Sequence, residues 1–179
     1  MQELTFKLLD KANITTDIAN SFIDLLVKQG KVDKPTVERI KSCRQLSLCY
    51  ANNKLIGIGA VKPKTKSDFA VTKADLTNIE QQFVWELGYF FTDDNFRGYG
   101  ISTTIARLLL KGKDKENILA STELYPDNVM IKVLEKFGFR QYGKPWLSKR
   151  HDGTLGLFLK FKVGETIDNK PTTKKKPSH

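Results

Sequence analysis

Short apolar runs and one amphipathic pattern alternate over the first thirty residues, and they predict a strand followed by a helix. The apolar positions between Leu4 and Leu9 indicate the strand. Thr15 or Thr16 is placed to cap the helix, and Gly30 to end it, because glycine tolerates the left-handed backbone that closes many helices. One face of this helix is apolar: Ile18, Phe22, Leu25 and Leu26.

A second helix and a β-hairpin are predicted next along the chain. The helix begins near Asp33-Pro35, since proline suits the first helical turn. Three positions continue its spacing: Val37, Ile40 and Arg44. Residues 46–50 and 55–61 indicate two strands, and Asn52-Asn53 joins them because asparagine tolerates the left-handed conformation that tight hairpins need.

The rest of the chain predicts a long loop and then alternating strands and helices. Residues 62–82 show no sustained period, so we expect a loop of the kind that often carries function. The elements after it are a strand from Trp85, a helix from near Ile101, a strand over 117–124, a helix from Asp127-Asn128 to Gly138, and a last strand over 155–161. With one more strand before the loop around Trp146, the predicted order is βααββ followed by βαβαββ.

Candidate chemistry lies where the aromatic-rich strand leads into Arg97-Gly98-Tyr99-Gly100 and directly into the helix near Ile101. The glycines allow a tight turn, and the unpaired N–H groups at the helix start point into the loop. A phosphate group fits such a loop. It is not a Walker loop, which the sequence lacks, and it is not a dinucleotide fingerprint, because Thr103 replaces the third glycine.

Two motifs instead resemble the GCN5-related N-acetyltransferases, the GNAT family, in its bacterial or phage form. The first motif is R-x-x-G-x-[G/A]: Arg97 and Gly100 match it, and Ser102, also a small residue, stands at the last position. The second is residues 127–139, which look like the family's closing signature of an Asn, a helix and a terminal Gly-Phe. The resemblance covers about residues 3–163. It implies a mixed α/β (α+β) fold with a mostly antiparallel, splayed sheet of about seven strands flanked by four helices.

The resemblance also implies acetyl-CoA as co-substrate, without a metal. Main-chain groups of Phe90 and Thr92, with Phe91 between them, are expected to bond the pantetheine arm as an added strand would. The pyrophosphate is expected at the backbone N–H groups of Arg97, Gly98, Tyr99, Gly100, Ile101 and Ser102. Thr103 is a further expected contact, and Asn128 is expected near the cysteamine end.

Glu86 is the candidate general base, acting directly or through water; the alternative is a structural carboxylate bonded to nearby backbone. Simple strand alternation would place Glu86 on one face with Gly88, Phe90 and Thr92. Many GNAT enzymes protonate the leaving thiolate with a helix Tyr, but Leu134 stands there. Tyr125 and Tyr142 lie outside the helix, so the thiolate either leaves unprotonated or uses water.

The net charge of the chain indicates which partners it could bind. The formal net charge is +10, and the part before residue 164 keeps 26 basic against 18 acidic residues. This favours nucleic acid, the ribosome or acidic proteins, although a basic face also eases binding of anionic CoA. A catalytically idle GNAT-like module that binds such partners is the alternative function. We expect a domain over 1–163 and a disordered basic tail over 164–179.

The remaining expectations concern compartment, metal and acceptor. No apolar run is long enough to span a membrane, and no signal segment is evident, so a cytoplasmic monomer or homodimer is expected. Cys43 and Cys49 are expected to be reduced, and together with His151 and His179 they lack the paired spacing that zinc ligands show, so metal binding is not expected. The acceptor, an amine, is expected between the loop around Trp146 and the 62–82 segment. Four side chains of that segment form the proposed wall: Asp68, Phe69, Asp75 and Glu80.

Overall fold

Seven strands form one sheet in the order β1-β2-β3-β4-β5-β7-β6 in a computed structural model, which describes residues 3–149 and 152–165. The strands are β1 (Leu4–Asp10), β2 (Gln45–Ala51), β3 (Lys54–Pro63), β4 (Trp85–Thr92), β5 (Ile118–Glu123), β6 (Arg140–Leu147) and β7 (Thr154–Lys160). The helices are α1 (Thr16–Leu26), α2 (Val37–Lys41), α3 (Ile101–Leu110) and α4 (Val129–Lys136). Only β4 and β5 pair in parallel, so the predicted fold class and element order are confirmed.

The two helices before β2 begin at threonine caps. The Thr15 side chain accepts a hydrogen bond from the Ile18 N–H, and the Thr36 side chain accepts one from the Arg39 N–H. The prediction that the second helix begins near Asp33-Pro35 is wrong, because the Thr36 cap starts it at Val37. Arg44, assigned to that helix, lies beyond its end.

The segment predicted as a loop over 62–82 is a folded part of the structure. β3 continues through Pro63, and two short 3-10 turns follow, Lys66–Phe69 and Glu80–Gln82. The segment contributes buried side chains to a core beneath β5, β6 and β7: Phe69, Ala74 and Ile79. Phe69 is therefore a core residue, and its assignment to the wall of an acceptor site is wrong.

The helices cover the sheet on opposite faces. α3 and α4 pack through Ile105 and Leu134 on one core, whereas α1 and α2 pack through Phe22 and Ile40 on another. Both cores meet the central strands β3 and β4, which puts the middle of the sheet between two apolar layers. This burial on both faces stabilises the strands that open the gap described below.

The sheet splits between β4 and β5. These strands pair only at Trp85 with Ile118 and at Glu86 with Leu119, although β4 continues to Thr92. Beyond Glu86 the facing edges diverge and leave main-chain groups unpaired. The predicted splay is thus present, and it opens toward the loop before α3.

Several expectations fall at or outside the edges of the described residues. His151, His179 and most of the tail predicted over 164–179 lie outside them. Lys144, Pro145 and Trp146, expected in a loop, belong to β6. Among the described residues, no helix is long and apolar enough to cross a membrane.

Candidate active site

A cleft of about 1790 Å³ opens where β4 and β5 diverge. Its lining comes from both strands, the loop before α3, the start of α4, the connection between α1 and α2, and the segment after β3. All the predicted catalytic and cofactor-binding residues except Tyr99 line it, and of the four predicted acceptor-wall residues only Asp68 does. Residues of β6 and β7 also contribute, so residues as far apart in sequence as Lys28 and Leu155 meet at one opening.

The edge of β4 directs alternate main-chain groups into the cleft. The Asp93 N–H donates to the Ile56 carbonyl at 2.8 Å, and the ladder pairs Ile58 with Phe91. Because hydrogen-bonded pairs alternate along an antiparallel ladder, the main-chain groups of Phe90 and Thr92 face the gap. The Phe90 carbonyl already accepts a bond from the Gln29 side chain at 3.1 Å, which ties the end of α1 to this edge.

The loop before α3 presents a row of free amide groups. Gly98 (φ 85°) and Gly100 (φ 71°) have left-handed backbone, and a Cβ on either would meet no atom within 4 Å. Within the described part of the chain, the N–H groups from Gly98 to Thr103 have no acceptor, whereas the Arg97 N–H donates to the Asp94 carbonyl. The loop is an anion cradle in geometry as well as in sequence.

Some of the side chains around this cradle already interact with neighbouring residues. Arg97 is exposed and forms a 2.6 Å ion pair with Asp94, so its charge is shared rather than free. The Thr92 and Ser102 hydroxyl oxygens lie 3.3 Å apart and join β4 to the first turn of α3. Tyr99 is exposed beside the loop.

Asn128 caps α4 and fastens it to β5. Its side-chain oxygen accepts from the Met130 N–H, and its amide donates to the Glu123 carbonyl and the Thr122 hydroxyl. The residue is buried and lines the cleft. Its side chain positions the wall opposite β4, and a contact with a ligand stays a prediction.

Glu86 lies buried at the point where β4 and β5 separate. Its Oε2 accepts from the Thr65 N–H at 2.7 Å and lies 2.6 Å from Lys62 Nζ. The carboxylate also lines the cleft. Glu86 therefore has the backbone contact that a structural role requires and the location that a base requires.

A β-bulge overturns the simple alternation expected for β4. The ladder pairs Ala60 with Gly88 and Ile58 with Phe91, so two residues of β4 face only one of β3, and Tyr89 has a φ of 57°. Tyr89 and Phe91 consequently pack on the α1 side, the side of Glu86. Phe90 packs on the α3 side with Trp85, contrary to the expectation that it shares the face of Glu86.

Lys62 is the main site residue that sequence reasoning missed. Assigned to the start of a loop, it is the penultimate residue of β3, directly opposite Glu86 in the ladder. Its Nζ also lies 5.2 Å from the centre of the Tyr89 ring. Extending the predicted 55–61 strand by one residue would have placed Lys62 in β3, but only the β3–β4 register shows that it faces Glu86.

No tyrosine from α4 reaches the cleft. Leu134, at the expected tyrosine position, is buried and apolar and lines the wall. Tyr125 lines the cleft but is half exposed, and Tyr142 packs against Phe161 away from it. The hydroxyl groups nearest the gap on β5 are those of Ser121 and Thr122.

The proposed acceptor walls are more neutral than their sequence suggests. Each carboxylate expected to attract an amine is paired with a lysine: Asp68 with Lys73, Asp75 with Lys144, and Glu80 with Lys64. These carboxylates are therefore neutralised within the fold, and only Asp68 of the three lines the cleft. Trp146 is 8% exposed, as a core residue would be, yet it lines the cleft with Lys73 Nζ 5.5 Å from its ring centre.

Neither cysteine lines the cleft. Cys43 and Cys49 are free and buried, and burial raises the pKa of each thiol to about 11. Among the described residues, no three His, Cys, Asp or Glu side chains are grouped to hold a metal ion. Burial also raises the pKa of Tyr89.

Comparison with known proteins finds relatives of this chain by structure but not by sequence. No family model and no curated protein matches the sequence. One structural neighbour is a protein of Salmonella typhimurium assigned as an acetyltransferase and solved with its cofactor acetyl-CoA. It has 11% identity and a TM-score of 0.60 over 92% of this chain and 96% of that one.

Two further neighbours have the same fold. An N-acetyltransferase from Staphylococcus aureus Mu50 shares 14% identity, with a TM-score of 0.57 over 88% of this chain and 97% of its own. The Escherichia coli ribosomal-protein-S18-alanine N-acetyltransferase shares 8%, with a TM-score of 0.58 over 94% and 99%. The chain has the fold of the GNAT acetyltransferases.

Proposed function

We propose that this protein is a GNAT N-acetyltransferase that moves the acetyl group of acetyl-CoA to a primary amine. The observation that carries the proposal is the row of N–H groups from Gly98 to Thr103, free of acceptors and open to the gap between β4 and β5. A pyrophosphate supplies the oxygens that such a row lacks. The fold shared with acetyltransferases supports the same ligand.

The strand edge fits the next part of the donor. A pantetheine arm carries amide groups, and the main-chain groups of Phe90 and Thr92 face the gap where such an arm would lie. Binding would then resemble the addition of a strand to β4. Asn128 holds the opposite wall, and Leu134 supplies an apolar surface near the thioester end.

Glu86 is the proposed base at the closed end of the gap. The acceptor nitrogen forms a bond to the thioester carbonyl carbon as it loses its proton to Glu86, directly or through water, and the carbon–sulfur bond breaks. Lys62 holds the carboxylate in place. With Leu134 where relatives have a tyrosine, the thiolate leaves unprotonated or takes a proton from water.

Calorimetry with acetyl-CoA, followed by an amine panel with detection of the released CoA thiol, tests the function. Acetyl-CoA should bind, and S-acetylpantetheine, which lacks the pyrophosphate, should bind at least tenfold more weakly. Small amines, peptide N-termini and lysine side chains should all be included. Binding of acetyl-CoA without turnover of any amine would favour the idle module, and absence of binding would refute the assignment.

A further inference from the structure

The charges around the cleft are unevenly paired. Each of the six carboxylates that line it has an interaction partner: Asp33, Asp68, Glu86, Asp94, Glu123 and Asp127. Four of the seven lining cations are neutralised by these acids: Lys31, Lys62, Lys73 and Arg97. The remaining three make no ion pair with a described carboxylate: Lys28, Arg39 and Lys149. The cleft therefore has unbalanced positive charge.

Of these three cations, Arg39 is the one whose charge acts on a residue beside the proposed base. It projects from α2, is exposed and lines the cleft together with Tyr89, and its charge opposes the rise that burial causes in the pKa of that phenol. Tyr89 is on the same side of the sheet as Glu86, and the charge of Glu86 also acts on it. Arg39, Tyr89 and Glu86 thus line the same cleft.

This charge lies away from the anion cradle. The cradle precedes α3, whose side chains pack on the opposite face of the sheet from α2. Arg97, beside the cradle, already has Asp94 as partner. A pyrophosphate held by the Gly98–Thr103 amides would leave the Arg39 guanidinium without an anion.

We infer that the acceptor is a small amine that also carries an acid group, with its oxyanion held by Arg39 and its nitrogen directed to Glu86. The inference rests on the proposed acetyltransferase function. A guanidinium binds carboxylate or phosphate oxygens through two parallel hydrogen bonds, which fixes orientation as well as charge. Lys28 adds to the attraction from the neighbouring α1–α2 connection.

Three amines of similar length test the acid group: propylamine, β-alanine and 2-aminoethylphosphonate. The wild-type protein should acetylate at least one of the two acidic amines with a kcat/KM at least tenfold above that for propylamine. A higher kcat/KM for β-alanine would indicate a carboxylate site, and a higher kcat/KM for 2-aminoethylphosphonate a phosphate-like site. Equal rates for all three would overturn the inference while leaving the acetyltransferase function intact.

Arg39→Gln identifies the residue responsible. It should lower kcat/KM for the acidic amine at least tenfold, chiefly through KM, and leave propylamine and the Kd of acetyl-CoA unchanged. Lys41→Gln is the matched control, because Lys41 is exposed on the same helix but does not line this cleft. Weaker acetyl-CoA binding in Arg39→Gln would assign the arginine to the donor and overturn the inference.

Binding measurements decide the matter even if turnover is absent. Calorimetry on protein saturated with CoA should give a Kd for the acidic amine at least tenfold below that for propylamine, with the difference lost in Arg39→Gln. An equal Kd for both amines would refute the acid site. A protein that fails to bind acetyl-CoA would instead refute the proposed function.

Discussion

Lys62 lies directly opposite Glu86 in the β3–β4 ladder, and its Nζ is 2.6 Å from the carboxylate, with both side chains buried. Burying two charges is costly, and their attraction offsets the cost only while both are present. The pair also sits at the end of the gap, where Glu86 borders the cleft. A single contact therefore serves the stability of the sheet and the orientation of the proposed base.

Removing one partner of this pair should destabilise the fold strongly. Lys62→Met leaves Glu86 buried without its cation, and we expect a loss of about 3–5 kcal/mol in the free energy of unfolding. The double variant Lys62→Met with Glu86→Leu should recover most of that loss, because no unpaired charge remains. Urea titrations of the wild type and of the single and double variants measure both effects. A double variant no more stable than Lys62→Met would contradict this account.

Glu86→Gln tests the base more directly. Glutamine has the same shape as glutamate, and its side-chain oxygen can still accept the hydrogen bond from the Thr65 N–H. An amide cannot take a proton from the acceptor amine, so turnover should fall about 10²–10⁴-fold. The Kd of acetyl-CoA should not change, and circular dichroism should show a folded protein. Glu80→Gln is the control, since Glu80 is also paired with a lysine but does not line the cleft. Unchanged turnover in Glu86→Gln would leave Glu86 a structural residue.

Turns with their own conformational preference are predictable from sequence. Asn52 and Asn53 both have left-handed backbone, with φ of 48° and 63°, as the hairpin prediction requires. Gly100 likewise has the left-handed conformation at the start of α3. In each case, one or two residues determine the geometry, and the rest of the chain only accommodates it.

Features set by contacts between distant segments are not predictable in this way. Tyr89 has positive φ, which tyrosine rarely adopts, and in this bulge its ring packs against that of Phe22, with ring centres 6.3 Å apart. The bulge then decides which face Phe90 occupies. The partner of Glu86 was also hidden, because only the β3–β4 register brings Lys62 opposite it.

The anion cradle can be tested with a pair of glycines that flank α3. Gly100 and Gly112 have φ of 71° and 74°, and neither has an atom within 4 Å of an added Cβ. Alanine at either position should cost about 1–2 kcal/mol of stability, because the left-handed backbone is unfavourable for it. Only Gly100→Ala should weaken acetyl-CoA binding, by about tenfold, because the strain falls within the row of amides that the pyrophosphate is proposed to contact. Equal binding losses in both variants would argue against a pyrophosphate at this loop.

Stability should fall in alkali because of the buried thiols. The pKa of Cys43 and of Cys49 is about 11 in the folded protein and 9.0 for an unperturbed thiol, chiefly because burial disfavours the thiolate. Above pH 9 the unfolded chain therefore binds fewer protons than the native one, and unfolding becomes easier as pH rises toward 11. Full titration corresponds to roughly 2–3 kcal/mol per thiol.

The thiol contribution can be isolated by urea unfolding at pH 8 and pH 10.5. Half-buried tyrosines such as Tyr50 and Tyr89 have raised pKa values and contribute in the same direction, so the wild type alone does not identify the thiols. A variant with alanine at both cysteines should lose less stability between the two pH values than the wild type does. The loss of packing in this variant lowers its free energy of unfolding equally at both pH values, so it cancels in the difference between them. The same alkaline loss in both proteins would show that the thiols do not carry the effect.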